Sequence, residues 1–321
     1  MPFNSLISRT DAAALIPEEV SAELLQGVTE QSVCMQLGRR LQDMSRAQMR
    51  MPVLSALASA YFVDGDTGLK QTTEVNWTNK YVDAAEIACI VPIPESVLDD
   101  ADYDIWGEIR PSIEEGFGLA IDGAVLYGTN IPATWTVNLG AAGLIAGITA
   151  ASHLISNASY TDLYESILGE TAGGDDGLFM LPEADGYMVT GNVAHMSTRG
   201  KLRNVRDSDG NPIFTRSMQE KNVYELDGTP LRFPLHGGIS STYWLISGYW
   251  RDLVYSMRQD VTYKVLDQAV IQDNTGAIVY NLAQQDMVAL RCVMRVGFAL
   301  PHPVTRMDSA GTGYPFAALT A

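Results

Sequence analysis

Between residues 46 and 125 the hydrophobic period of the chain changes from two to about four. Arg46, Gln48 and Arg50 alternate with Ala47, Met49, Met51 and Val53, which puts polar groups on one face of a strand. Ala85, Ile87, Cys89, Val91 and Ile93 alternate in the same way with Glu86, Ala88 and Ile90, and Pro92 and Pro94 are expected to stop that ladder. Residues 61–77 lie between, with turn formers Asp64, Gly65, Asp66 and Gly68 at the tip. The pattern predicts an extended hairpin with strands near 46–53 and 85–93. Its loop carries Phe62, Lys70 and Trp77 and is too polar to form a core of its own.

A long helix follows. After a short helical lead at 96–100, Asp104 can cap a run with Ile105, Ile109, Ile113, Phe117, Ile121 and Val125 at four-residue spacing, with Ala120 and Ala124 alongside. Gly128 is its expected C-cap. Pro111 predicts a kink or break near Arg110, and Gly107, Gly116, Gly118 and Gly123 lower the intrinsic propensity. Packing must therefore hold the helix. At about 1.5 Å per residue it would span roughly 30 to 45 Å.

The carboxy-terminal half reads as a mixed domain that returns to this helix. Ser159-Tyr-Thr-Asp162 has the form of a capping box before Leu163, Ile167 and Leu168, and 173–177 is a glycine-rich break. Strands are expected at 243–246, 255–257, 261–265 and 277–280, the last after a turn at 273–276. Residues 287–300 form an alternating strand, with Val288, Leu290, Cys292, Met294, Val296 and Phe298 on one face and Ala289, Arg291, Val293 and Arg295 on the other. A strand of that length is expected to back the long helix. The alternative for this half is an unrelated α+β core.

The order of the parts carries a resemblance. An arm containing Ile16-Pro-Glu-Glu-Val-Ser-Ala-Glu-Leu24 precedes the hairpin, and Ile93-Pro-Glu-Ser-Val-Leu-Asp-Asp-Ala101 opens a helix that ends at Leu126-Tyr-Gly-Thr129. This order resembles the major capsid proteins of tailed bacteriophages, the Hong Kong 97 type. Gly186-Tyr-Met-Val-Thr190, Asn192-Val-Ala-His-Met-Ser-Thr198, Asp207-Ser-Asp-Gly-Asn-Pro-Ile-Phe214 and Leu226-Asp-Gly-Thr-Pro-Leu231 resemble that family's axial domain. The similarity covers about residues 15–307, and its specificity lies in the order of the pieces, since no motif matches a zinc or P-loop signature in sharpness.

The resemblance implies an α+β fold. It has an arm at 1–45, an extended loop at 46–93, a peripheral domain at 94–135 and 287–310 built on the spine helix, an axial domain at 136–286 and a tail at 311–321. It implies a coat subunit, found in the virion and assembled in the host cytoplasm, that closes into hexamers and pentamers around double-stranded DNA. Its partners would be other copies of itself, a scaffolding protein, a portal, a decoration protein and DNA touched without sequence preference, with no membrane and no cofactor. Phe62, Asp64, Gly65, Asp66, Lys70 and Trp77 would form the intersubunit loop. Some members of the family join a loop lysine to a neighbour's asparagine with help from a glutamate on the long carboxy-terminal strand. Lys70 fits the lysine, but Arg291-Cys-Val-Met-Arg295 offers no carboxylate, so no cross-link is expected. A start at Met1 without a long charged helical leader suggests a separate scaffold, or a precursor that carries one.

Composition agrees with a folded chain. The 321 residues are 46% hydrophobic and 18% charged, enough for one or two cores. The first residues lack a basic region followed by an apolar one, so no secretory signal is visible, and 139–151 is too short to cross a bilayer. Cys34, Cys89 and Cys292 are odd in number and far apart, as expected for reduced thiols, and the last two suit small core positions. The net charge is −17, and residues 51–130 hold 14 acidic and 3 basic side chains. Such a balance opposes binding to a phosphate backbone. It suits a shell lining that does not trap DNA, or simply a solvated acidic surface.

No catalytic or metal site emerges. His153, His195, His236 and His302 lack metal-ligand spacing. The Asp207 stretch begins like a calcium loop, but Met218 occupies its twelfth position. His236-Gly-Gly resembles part of an oxyanion loop, yet the chain has no Gly-x-Ser-x-Gly. The basic run from Arg199 to Arg206 reads as a helix end with Asn192 as its N-cap. Two alternatives to the coat subunit are an encapsulin-like compartment and a soluble hydrolase.

Overall fold

The computed structural model describes residues 32–63, 68–100, 105–160, 162–169, 176–206, 209, 211, 224–309 and 311–321. The arm is therefore described only from Ser32. Asp64, Gly65 and Asp66, the cap expected at Asp104, and most of the Asp207 stretch lie outside the described residues.

The spine helix runs Ile105–Tyr127 and continues through Pro111, so no break occurs near Arg110. Ile113, Phe117, Ile121 and Val125 are buried, while Ile105 and Ile109 nearer the start are half-buried. Burial decides in favour of the helix. Four buried large side chains contribute about 1.5–3 kcal/mol each, against about 1 kcal/mol for each of four glycines. Gly128 ends the helix at φ +70°, with its N–H on the Ala124 carbonyl at 3.1 Å. A Cβ there would run into the Ala141 carbonyl, so only glycine lets the helix Gly143–Ala150 close on the end of the spine.

A four-stranded sheet packs along the spine in the order Arg39–Arg40, Val254–Leu266, Met287–Ala299, Ala85–Pro94. The central strand Met287–Ala299 pairs antiparallel on both sides. Its face of Leu290, Cys292, Met294, Val296 and Phe298 shares one core with Ile113, Phe117, Ile121 and Val125, as its alternation predicts. The strands expected at 255–257 and 261–265 are one strand, Val254–Leu266, whose register shifts between Met257 and Gln259 and again before Thr262. The expected gap is thus an irregularity in a continuous strand. That strand lies beside the spine, although residues 136–286 were expected to be axial.

The hairpin has a different partner from the one expected. Gln48–Ala56 pairs with Asn76–Asp83, and Ala85–Pro94 instead forms the edge of the spine's sheet. Strands 76–83 and 85–94 follow each other almost without interruption, and alternation alone cannot say which partner each takes. Asn76–Asp83 is also polar, which disguised it as loop. Trp77 therefore sits in a strand, opposite Leu54. Pro92 and Pro94 do not stop their strand but pair with Ala289 and Met287. A proline needs no ladder donor on the open side of an edge strand.

The second, six-stranded sheet has the order Leu154–Ser156, Phe316–Thr320, Tyr243–Gly248, Gly191–Ala194, Thr229–Arg232, Tyr224–Leu226. Residues 311–321, expected as a tail, thus supply an inner strand in which Phe316, Ala317, Ala318 and Leu319 are fully buried. Two alanines at the end of a chain are weak evidence for a strand in sequence; the fit between two neighbours makes them one.

Two caps also differ. Asp162 stands before the helix Leu163–Leu168 without a side-chain cap bond, so the capping box does not close. His195, and not Asn192, caps the helix Met196–Asn204, its Nδ1 accepting from the Ser197 N–H at 3.2 Å. Asn192 is buried in a strand and donates to Thr229. The basic run does end that helix, with Lys201 and Arg203 in its last turn.

Candidate assembly surfaces

The paired strands Gln48–Ala56 and Asn76–Asp83 form a ribbon, whose Leu54 carbonyl accepts from the Val304 N–H at 3.3 Å. Val82 is buried at its base, where it packs with Met44, Val254 and Ala299, and Val53 is buried farther along, opposite Thr78. The indole N–H of Trp135 donates to the Asp83 carbonyl and Asn138 to that of Tyr81, both at 2.8 Å. Beyond the strands, Ser59 N–H donates to Thr73 Oγ1 at 2.9 Å, and the Tyr61 hydroxyl meets the Gln71 backbone. These polar cross-links hold the loop without a core. Its apolar groups face solvent instead: Phe62 is fully exposed, Leu69 is 88% exposed and Trp77 is 67% exposed. Lys70 is exposed too and pairs with no carboxylate among the described residues.

A second ribbon, Val270–Gln272 with Ile278–Asn281, repeats this on a smaller scale. Val270, Ile278, Val279 and Tyr280 are exposed, while Asp273 Oδ1 accepts from Thr275 and Ala277 and shapes the turn. The turn was legible in the sequence. The apolar exposure of its strands was not, because Ile-Val-Tyr reads equally well as core.

The spine offers a third surface, an open groove between its Gly116, Ala120 and Gly123, the edge strand at Ile87, and the loop from Gly237 to Tyr243. At the other side of the helix lies a feature that the hydrophobic pattern hid. Asp122 is fully buried beside Ile121. It accepts from Ser32 Oγ at 2.6 Å, Val33 N–H at 2.9 Å and Cys34 N–H at 3.1 Å. His236 Nε2 lies 2.9 Å from its other face, and His236 Nδ1 accepts from Gly238 N–H, which places the ring proton on Nε2. One carboxylate thus clasps the end of the arm, the spine and the His236-Gly-Gly loop. An aspartate breaking an apolar helical stripe was the available signal. Although Ser, His and Asp meet here, the serine donates to the carboxylate and not to the imidazole, and all three are buried. The arrangement activates no nucleophile. Among the described residues no group of three His, Cys, Asp or Glu side chains could hold a metal, and no helix is long and apolar enough to cross a membrane.

The chain is thus a mixed α+β fold with one long helix and two paired-strand ribbons, and its relatives give the class of protein. The profile of the phage capsid family matches residues 12–304, and the chain belongs to that family. The major capsid protein of Staphylococcus phage 80alpha is 26% identical over 281 residues, covering 87% of this chain and 79% of that protein. A solved structure from Microbacterium phage Oxtober96 is 33% identical and superposes with a TM-score of 0.82 over 98% of this chain and 99% of that one. One from Mycobacterium phage Cain is 27% identical, with a TM-score of 0.80 over 98% of each. The capsid function expected from the order of the parts is the function of this chain's family.

Proposed function

We propose that the chain is the major coat subunit of a Hong Kong 97-type head, closing into hexamers and pentamers around double-stranded DNA. The observation that carries this reading is the ribbon, rigidly based and apolar at its exposed end, on a subunit whose own core is complete. A closed shell needs each copy to present several different surfaces to its neighbours, and two ribbons and a spine groove supply them. Phe62, Lys70 and Trp77 then contact neighbouring copies, together with Asp64, Gly65 and Asp66 at the tip. The acidic balance of residues 51–130 faces the packaged DNA and keeps it from adhering. Scaffolding protein, portal and decoration protein are the further partners of this reading, and assembly takes place in the host cytoplasm.

Electron microscopy of the protein expressed with its scaffolding protein tests it. Closed shells built of hexamers and pentamers are expected. Sedimentation as monomers or small oligomers would overturn the proposal, and shells that enclose a protein cargo would favour the compartment alternative.

A further inference from the structure

Cys89 and Cys292 are distant in the chain but face each other as register partners in the strands Ala85–Pro94 and Met287–Ala299. Residues directly opposite in an antiparallel pair project to the same face, with Cα atoms about 4.5–5.5 Å apart. That separation falls inside the roughly 4.4–6.8 Å range of disulfides. Both residues contact the core under the spine, Cys292 fully buried and Cys89 half-buried. Both are free thiols, as is Cys34, which lies in the Asp122 clasp. The thiols expected to be far apart thus include an adjacent pair.

We propose that Cys89 and Cys292 form a dithiol site that a small-molecule disulfide oxidises to a cross-strand disulfide. Cys89, the more exposed, loses its proton and attacks one sulfur of the reagent, releasing one small thiolate and leaving a mixed disulfide on Cys89. The Cys292 thiolate then attacks the Cys89 sulfur and releases the second small thiolate. Two protein thiols are oxidised by two electrons, the reagent is reduced to two thiols, and the two protons from the protein balance the two thiolates. Burial raises the pKa of both cysteines, and proximity to Cys89 raises that of Cys292 further, while Arg110 opposes this from above the ring of Tyr263, the register partner of Cys292 on its other side. Little of either thiol is therefore ionised, so the exchange is slow and calls for excess oxidant.

Closure has a mechanical consequence. The edge strand leaves the ribbon at Asp83 and leads through Glu95–Asp100 to the spine. A bond at its centre ties that path to the central strand and closes a very long loop in the unfolded chain, where a cross-link constrains most.

The test oxidises the purified full-length protein with excess glutathione disulfide, followed by denaturation, alkylation and peptide mass spectrometry. The expected product is a Cys89–Cys292 peptide pair lighter by two hydrogens, with Cys34 alkylated. The melting temperature should rise on the order of 5 to 10 °C, reversibly with dithiothreitol. Cys89→Ala removes only a half-buried thiol and should melt close to the reduced parent, show no oxidative shift and leave Cys292 alkylated. Three alkylated cysteines after oxidation of the folded parent would overturn the proposal, as would disulfides that join subunits or involve Cys34.

Discussion

The spine helix carries four glycines and a proline in 23 residues, whereas the ribbon that precedes it pairs eight register positions between two strands with good β-formers at its base. By local preference the ribbon should be the sturdier of the two. Packing reverses this: Phe117, Ile121 and Val125 of the spine are at most 5% exposed, while Phe62 and Leu69 at the far end of the ribbon meet solvent almost entirely. Most of the spine's large apolar groups are buried inside the chain's own core, and those at the far end of the ribbon are not. On the proposed reading, folding and assembly fall to different residues, and each should be open to disturbance without the other.

The largest effect should come from the spine. Phe117→Ala removes a ring that packs with the central strand in the main core, and we expect a loss of about 3–5 kcal/mol in denaturant unfolding of the isolated subunit. A loss below about 1 kcal/mol would break the claim that burial holds this glycine-rich helix. Asp122→Ala comes next, at about 3 kcal/mol, because it strands the Ser32 hydroxyl and the Val33 and Cys34 amides in a dry site.

A second buried acid sharpens the point by opposing it. Asp252 is buried with Oδ2 unpartnered, and burial raises its pKa to about 6 against the pull of Arg39 and a backbone hydrogen bond from His302. A carboxyl raised in this way stabilises the fold only while protonated. Its contribution is complete below the unfolded value near 3.8 and is lost as pH rises through about 6. Asp252→Asn should therefore match the parent near pH 3.5 and exceed it by on the order of 2 kcal/mol at pH 8. Parallel melting curves across that range check the sign, and a variant less stable than the parent at pH 8 would contradict it. Two aspartates with similar burial thus have opposite effects, set by how many donors each meets.

This difference also marks what the sequence could reveal. The spine, the long central strand and the exposed loop were legible because each repeats one period over many residues. The identity of strand partners was not: 76–83 and 85–94 run on as one extended stretch, and tertiary packing sends them to different sheets. The inner strand Phe316–Thr320 escaped notice because alanine carries almost no period signal. Asp122 and the Cys89–Cys292 pair escaped for another reason. Their meaning depends on residues about 90 to 200 positions away, brought together only by the fold. Among candidate contact residues, Phe62, Lys70 and Trp77 prove exposed, while Ile113, Phe117, Ile121 and Val125 prove buried as their spacing implied.

On the ribbon the effect on folding should be small and that on assembly large. Replacing Phe62 and Leu69 together by serine removes little apolar area that the subunit itself buries, so its unfolding free energy should change by less than about 0.5 kcal/mol. Shell yield in the same preparation should fall sharply, since the lost contact recurs in every copy. Normal shells would show that the ribbon is no clamp, and an unfolded subunit would show that its tip belongs to the core.

The smallest effect belongs to Lys70, and it decides whether the proposed grip of the ribbon on a neighbour is by contact or by a covalent bond. Joining a lysine amine to a side-chain amide needs a nearby carboxylate that can accept the proton. The central strand supplies none between Arg291 and Arg295. The carboxylate that does face it, Glu86 on the edge strand, has Oε2 held by Arg295 at 2.7 and 2.8 Å, so that oxygen is already engaged. Assembled shells should run on denaturing electrophoresis as one subunit-sized band, and Lys70→Ala should leave that band and the shell yield within error of the parent. A ladder of covalent oligomers that Lys70→Ala abolishes would show that a neighbour supplies the missing base and that the grip is chemical.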